Sequence, residues 1–208
     1  MNNTYDSIIF DLDGTLWDST ETIAIACQQA LEAFGMDGRS INAETVRGLA
    51  GMPYNAIYDK LFPELQGEER EQLQRLCASK ELEVLQQLGG KLYPEVKETL
   101  LHLATKYKLA IVSNCQSGYI ETFLDHHQLH PYFIDHECYG NKGISKGDNI
   151  REVVRRNKLE RAVYVGDTTG DYEASQQANV PFILAGFGFG NVKEEVHTIN
   201  SFSELKKL

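Results

Sequence analysis

The chain has 208 residues, of which 42% are hydrophobic and 24% charged, with a formal net charge of −10 at pH 7. That composition is globular, and the length suits one domain carrying an insertion or two small ones. The negative balance and the lack of any dense Lys/Arg cluster argue against a nucleic-acid partner. No apolar run approaches the roughly 18–20 residues that span a bilayer, so no membrane partner is expected. The start, Met1-Asn2-Asn3-Thr4-Tyr5-Asp6, shows no basic stretch leading into an apolar one, so no signal peptide is read there. Cys27, Cys77, Cys115 and Cys138 form no CxxC pair and read as reduced thiols in a cytoplasmic protein.

In chain order, Ser7-Ile8-Ile9-Phe10 is a short apolar run that stops at Asp11-Leu12-Asp13-Gly14, a buried strand entering a turn. Helical patterns at 19–34, 43–49, 54–61 and 68–88 follow with no convincing strand between them. They are punctuated by Gly35, Gly38, Pro53, Pro63, Gly67 and Gly89-Gly90. From residue 94 the character changes. Helical patterns at 94–107, 117–126, 146–157 and 170–178 alternate with four further strand candidates. These are Leu109-Ala110-Ile111-Val112, the weaker Tyr132-Phe133-Ile134, Ala162-Val163-Tyr164-Val165 and Pro181-Phe182-Ile183-Leu184. Strand–helix alternation predicts an α/β fold with a parallel sheet covered on both faces, interrupted after its first strand by a helical insertion.

Ligands of open parallel sheets bind outside the carboxyl ends of the strands. Three apolar strands here finish in polar groups at that edge: Asp11 and Asp13, Ser113 and Asn114, and Asp167 and Asp171. Each piece alone has an ordinary reading. Acidic D-x-D-G turns bind calcium elsewhere, Ser-Asn commonly makes a turn or helix cap, and Gly166-Asp167-Thr168-Thr169-Gly170-Asp171 suits a capped strand-to-helix turn.

Together and in this order the pieces resemble the haloacid dehalogenase-like hydrolase superfamily. The matching elements are Asp11-Leu12-Asp13-Gly14-Thr15, Ser113 after an apolar strand, Lys146 opening a helix, and the run from Gly166 to Asp171. The stretch from Phe10 to Ser19 is similar to the phosphoglycolate-phosphatase-like branch. The resemblance covers essentially the whole chain. It implies a Rossmann-like parallel sheet core with an inserted all-helical cap, the core formed by residues 1–17 and 91–208 and the cap by 18–90.

The implied activity is magnesium-dependent hydrolysis of a small phosphorylated metabolite through an aspartyl-phosphate on Asp11, in a monomer or homodimer. A carboxylate approaches a phosphate dianion only if charge is offset. Mg2+ held by Asp11, the Asp13 main-chain carbonyl and Asp167 would do this, with Lys146 as a further point charge. Ser113 and the Asn114 backbone would bind phosphate oxygens. Asp13 would act as general acid and base, and Asp13 itself favours phosphate esters, since dehalogenases lack this carboxylate. Thr15 would brace the turn. Asp171 would either orient Lys146 or a metal-bound water, or simply cap its helix. From the insertion, Arg47 would contact substrate, its alternative being a solvated helix face.

Lys142 is the alternative to Lys146; the family lysine commonly precedes proline, whereas Gly147 follows here. The six histidines are assigned no role. Trp17, Phe187 and Phe189 read as packing around the site entrance, and Gly186, Gly188 and Gly190 do not make a dinucleotide loop. A sugar-phosphate mutase of the beta-phosphoglucomutase type is the rival enzyme, less favoured with Thr15 present, and a catalytically silent binding protein on the same scaffold is the third reading.

Overall fold

The computed structural model describes residues 4–36 and 38–208. The opening Met1-Asn2-Asn3 of the stretch read for a signal peptide lies outside the described residues. Six parallel strands form one sheet: β1 (Ser7–Phe10), β4 (Lys108–Ser113), β5 (Asp135–Cys138), β6 (Ala162–Gly166), β7 (Phe182–Ala185) and β8 (His197–Ile199). Their order in space is β5-β4-β1-β6-β7-β8, so the chain builds outward from β1 in one direction and then in the other. That reversal leaves a crevice at the carboxyl end of β1, between β4 and β6, where open α/β sheets bind ligands.

The inner strands read as unbroken apolar runs because both faces of the sheet are covered. Side-chain alternation divides them. Ile8, Phe10, Leu109, Ile111, Val163 and Val165 enter one core. Ile9, Ala110, Val112 and Tyr164 enter the other. Helices α8 (Lys146–Asn157) and α9 (Thr169–Ala178) cover the second face, through Ile150, Val153 and Ala174. Helices α5 (Val96–Ala104) and α6 (Tyr119–His127) cover the first, with a C-terminal 3-10 segment at Phe202–Lys207. A short helix α7 (Tyr139–Lys142) follows β5.

Between β1 and α5 lie α1 (Thr20–Phe34), α2 (Ala43–Arg47), α3 (Tyr54–Leu61) and α4 (Gly67–Leu88). The chain leaves and re-enters this helical segment through two short antiparallel strands, β2 (Trp17–Asp18) and β3 (Lys91–Leu92), with Trp17 opposite Leu92. Leu31, Leu73 and Leu85 of α1 and α4 join the first core. No helix among the described residues is long and apolar enough to cross a membrane.

Three expectations need correction. Tyr132-Phe133-Ile134 is not a strand: Pro131, with no N–H to donate, sits in a 3-10 turn at His130–Tyr132, and the strand starts at Asp135. β5 escapes a hydrophobicity reading because it is an edge strand of sequence Asp-His-Glu-Cys, held by Arg156 on Asp135 and Glu137. β8, the other edge, is half exposed and was not anticipated at all. Trp17 is fully buried against Tyr119, Phe123 and His127 rather than placed at the site entrance.

Leu100 and Leu101 are neighbours on α5 with opposite fates, 0% and 57% exposed. Leu100→Ala should therefore cost about 2–5 kcal/mol and Leu101→Ala no more than about 0.5 kcal/mol, read from urea unfolding midpoints.

Candidate active site

Asp11 continues β1 directly, its N–H donating to the Val165 carbonyl at 2.8 Å. The chain then turns sharply at Gly14, which has φ 85°. A Cβ at Gly14 would come within 2.2 Å of Asp167 Oδ2, so the position needs glycine for both its backbone conformation and its closeness to the neighbouring strand end. Thr15 is buried and its N–H closes the turn on the Leu12 carbonyl at 3.3 Å; its hydroxyl has no partner among the described residues.

Lys146 is delivered from the opposite side. Ser145 caps α8 by accepting from the Asp148 N–H, which places Lys146 in the first helical position. Its Nζ donates to Asp11 Oδ1 at 2.7 Å and Asp171 Oδ1 at 2.6 Å, and all three side chains are at most 5% exposed. Burial opposes the charge on Lys146, but the carboxylates of Asp11 and Asp171 outweigh it and raise the pKa. Lys142 lies elsewhere, paired with Glu137 at 3.1 Å and Glu152 at 2.7 Å. Of the two lysines, Lys146 is the one that reaches Asp11.

Asp171 makes contacts in two directions. Its Oδ2 accepts from the Thr168 hydroxyl at 2.6 Å and the Thr168 N–H at 3.0 Å, completing a capping box at the start of α9. Its Oδ1 holds Lys146, and Tyr164 steadies it from 3.3 Å. Burial works against ionised Asp171, yet Lys146 and Thr168 lower its pKa.

Asp167 is fully buried in a cradle of glycines. A Cβ on Gly188 would lie 2.3 Å from Asp167 Cβ, and one on Gly14 2.2 Å from its Oδ2. Asp167 Oδ2 accepts from the Phe189 N–H at 2.7 Å, while Oδ1 is buried with no partner among the described residues. Burial and Asp171 raise the Asp167 carboxyl to about 7. Burial, then Asp171, raise Asp11 as well, against the pull of Lys146.

Asp13 points to the helical segment. The Ser19 hydroxyl donates to its Oδ1 at 2.6 Å, and the Tyr119 hydroxyl lies 3.1 Å from the same oxygen and 2.9 Å from Ser19 Oγ. Desolvation lifts the Asp13 carboxyl to about 6 despite these bonds. Ser113, buried at the end of β4, and Asn114 line the same cavity as Asp11, Asp13 and Lys146. The Asn114 side chain donates to the Gly51 carbonyl at 2.9 Å and so ties this strand end to the helical segment. Arg47 does not line that cavity: its guanidinium pairs with Asp18 at 3.2 Å and lies over the Phe189 ring at 5.4 Å.

A model of the family described as haloacid dehalogenase-like hydrolase matches residues 8–185. The chain belongs to that family. A protein of Aquifex aeolicus named phosphoglycolate phosphatase is 30% identical, over 97% of this chain and 95% of its own length. One of that name from Vibrio parahaemolyticus is 34% identical, over 88% and 85%. The crystal structure of a predicted phosphoglycolate phosphatase from Haemophilus somnus superposes with a TM-score of 0.83 at 22% identity, over 100% and 99%, a likeness of fold.

In this haloacid dehalogenase-like hydrolase the carboxylates of Asp11, Asp167 and Asp171 offer oxygens within 4.8 Å of one another, and all three residues are buried. Lys146 offsets one of those three charges. The excess negative charge and the unpartnered Asp167 Oδ1 fit a hard divalent cation with oxygen ligands. Asp171 joins the cluster, although its two oxygens are already engaged by Lys146 and Thr168.

Motif reading did not single out the roles of Ser19, Tyr119 and the Phe189 backbone. Ser19 stands six residues beyond Asp13, within the quoted motif, and could have been found; Tyr119 reaches Asp13 only through the packing of α6. Gly188→Ala, which crowds Asp167, should weaken Mn2+ binding about tenfold or more, measured by electron paramagnetic resonance of free ion. Unchanged affinity would separate Asp167 from the cation site.

Proposed function

We propose that this hydrolase is a phosphatase that cleaves a small phosphorylated metabolite through an aspartyl-phosphate on Asp11, with Mg2+ held by Asp11, the Asp13 main-chain carbonyl and Asp167. The observation that carries the reading is the pairing on one turn of two carboxyls in opposite environments. Asp11 is tied to Lys146, while Asp13, two residues on, faces the cavity with hydroxyl partners and a pKa of about 6. A carboxylate held by an ammonium and a carboxyl held by hydroxyls suit a nucleophile and a proton carrier. The naming of the Aquifex and Vibrio relatives as phosphoglycolate phosphatases supports the same class of reaction.

An Asp11 oxygen attacks phosphorus and the bond to the ester oxygen breaks. Asp13 gives its proton to the departing alcohol. Asp13, now ionised, then takes a proton from a water whose oxygen attacks the same phosphorus, freeing inorganic phosphate and restoring Asp11. Lys146 favours the charged form of Asp11 and offsets the charge gathering on the phosphoryl oxygens, which the Ser113 hydroxyl and Asn114 N–H receive as donors. The bound cation supplies charge neutralisation between Asp11 and the phosphate. Residues 18–90 act as the cap over this reaction. Arg47, clasped to Asp18 and Phe189, serves that cap by joining it to the loop beside Asp167.

Phosphate release from an aryl phosphate should require Mg2+, stop with chelator, and vanish in Asp11→Asn; phosphate retained on an isomerised sugar phosphate would instead mark a mutase. Asp13→Asn should lower kcat by about 10²–10⁴. Arg47→Ala should reduce kcat/KM equally for a small aryl phosphate and a larger ester, whereas a rise in KM confined to the larger ester would make Arg47 a direct substrate contact.

A further inference from the structure

The cavity that opens at Asp11 and Asp13 has a volume of about 120 Å³ and runs into the helical segment. Its two ends differ in chemistry. Beside the sheet it is lined by Asp11, Asp13, Ser113, Asn114 and Lys146. Farther in, the walls are Ile23, Val46, Leu49, Met52, Ile57 and Phe62. Among the described lining residues the sole cation is Lys146, and both Asp11 and Asp171 already hold it.

One carboxyl stands in the apolar part. Glu81 of α4 is 6% exposed and stands among Cys77, Tyr54 and Gln116. Gln116 donates to its Oε2 at 2.7 Å, using its second N–H on the Ala78 carbonyl at 3.2 Å. Tyr54 and Tyr58, whose hydroxyls are 2.8 Å apart, line the same stretch. Burial pushes the Glu81 carboxyl up to about 8, and Asp13 is near enough to add to the rise. A carboxyl has about four acceptor positions; Gln116 and Tyr54 engage some of those on Glu81, which itself lines the cavity. An unpaired buried acid costs stability, so its presence in an apolar wall needs a use.

Resting on the phosphatase reading, we infer that the substrate is a phosphate monoester whose alcohol part is apolar, carries no second acid group, and bears a hydroxyl or amino group that donates to Glu81. The phosphate takes the polar end, the apolar body replaces water along Ile23, Leu49 and Ile57, and the donor meets Glu81 and the tyrosine pair. A carboxylate on the alcohol would have to leave water for an apolar wall, where no lining cation beyond Lys146 receives it. The two-carbon acid of phosphoglycolate is therefore a poor fit to this cavity, despite the names of the relatives.

Three aryl esters of one shape separate the possibilities: phenyl phosphate, 4-(hydroxymethyl)phenyl phosphate and 4-carboxyphenyl phosphate, with 2-phosphoglycolate alongside. The expected kcat/KM order is hydroxymethyl, then phenyl, then carboxyl, with the first exceeding the last about a hundredfold, an unmade hydrogen bond and a misplaced charge each weighing about tenfold. Glu81→Leu should shrink the hydroxymethyl-over-phenyl ratio about tenfold, and Glu81→Gln, which keeps the shape and a carbonyl acceptor, should fall between. Equal rates for the three esters, a preference for the carboxylates, or a ratio indifferent to both Glu81 variants would overturn the inference while leaving phosphatase activity in place. If no ester is hydrolysed, the phosphatase reading fails on its own. Equilibrium binding of the matching arylphosphonates then decides the cavity's preference, tighter binding of the hydroxymethyl compound supporting it and tighter binding of the carboxyl compound rejecting it.

Discussion

The buried ammonium of Lys146, shared between Asp11 and Asp171, is the contact on which the rest of the arrangement depends. A charge in that position is tolerated only if its partners are fixed within hydrogen-bond distance. Each partner comes from a different element: Asp11 from the end of β1, Asp171 from the first turn of α9, Lys146 from the first turn of α8. The sheet order, with β1 beside both β4 and β6, is what lets these ends meet. A lysine at a helix N-terminus opposes the helix dipole, so the Ser145 cap and Asp148 in the same turn offset a local cost imposed by the site.

Asp171 also joins two kinds of stability that are usually separate. The carboxylate that grips Lys146 with one oxygen caps α9 with the other. A change in the charge of the cluster is therefore felt by the helix, and the helix in turn restricts where the charge can sit. Asp167 has the opposite character. It is enclosed by glycines and by the Phe189 N–H, yet keeps one oxygen uncommitted, which is the form expected of a ligand rather than of a structural acid.

The sheet and the charged end of the cavity were legible in the sequence because both follow from periodicity and punctuation. Apolar runs that stop at Asp11, Ser113 and Asp167 mark buried strands with polar ends, and β1, α3 and α8 occupy the residues expected of them. The sequence left Lys142 and Lys146 both available, since a helix start does not say which way its neighbours point; the ion pairs separate them. The edge strands were hidden, because Asp135-His136-Glu137-Cys138 earns its place through Arg156 rather than through hydrophobicity, and β8 is three residues long. Glu81 was invisible for a related reason. In a helix rich in Glu and Gln nothing marks one acid as the buried one until α4 is packed against Gln116. The cysteines, spaced far apart along the chain, likewise come together as Cys27 with Cys77 and Cys115 with Cys138, all four as free thiols.

The two-residue ribbon that pairs Trp17 and Asp18 with Leu92 and Lys91 has an evolutionary reach beyond its size. It brings the two ends of the helical segment to one point beside the site, so the pairing of the sheet strands does not depend on the length of what is strung between. Helices can be gained, lost or exchanged there without re-registering a single strand, and the entropic toll of a longer excursion grows only slowly with its length. A lineage could thus retain one set of reacting groups while rewriting the vessel that holds the rest of the molecule they act on.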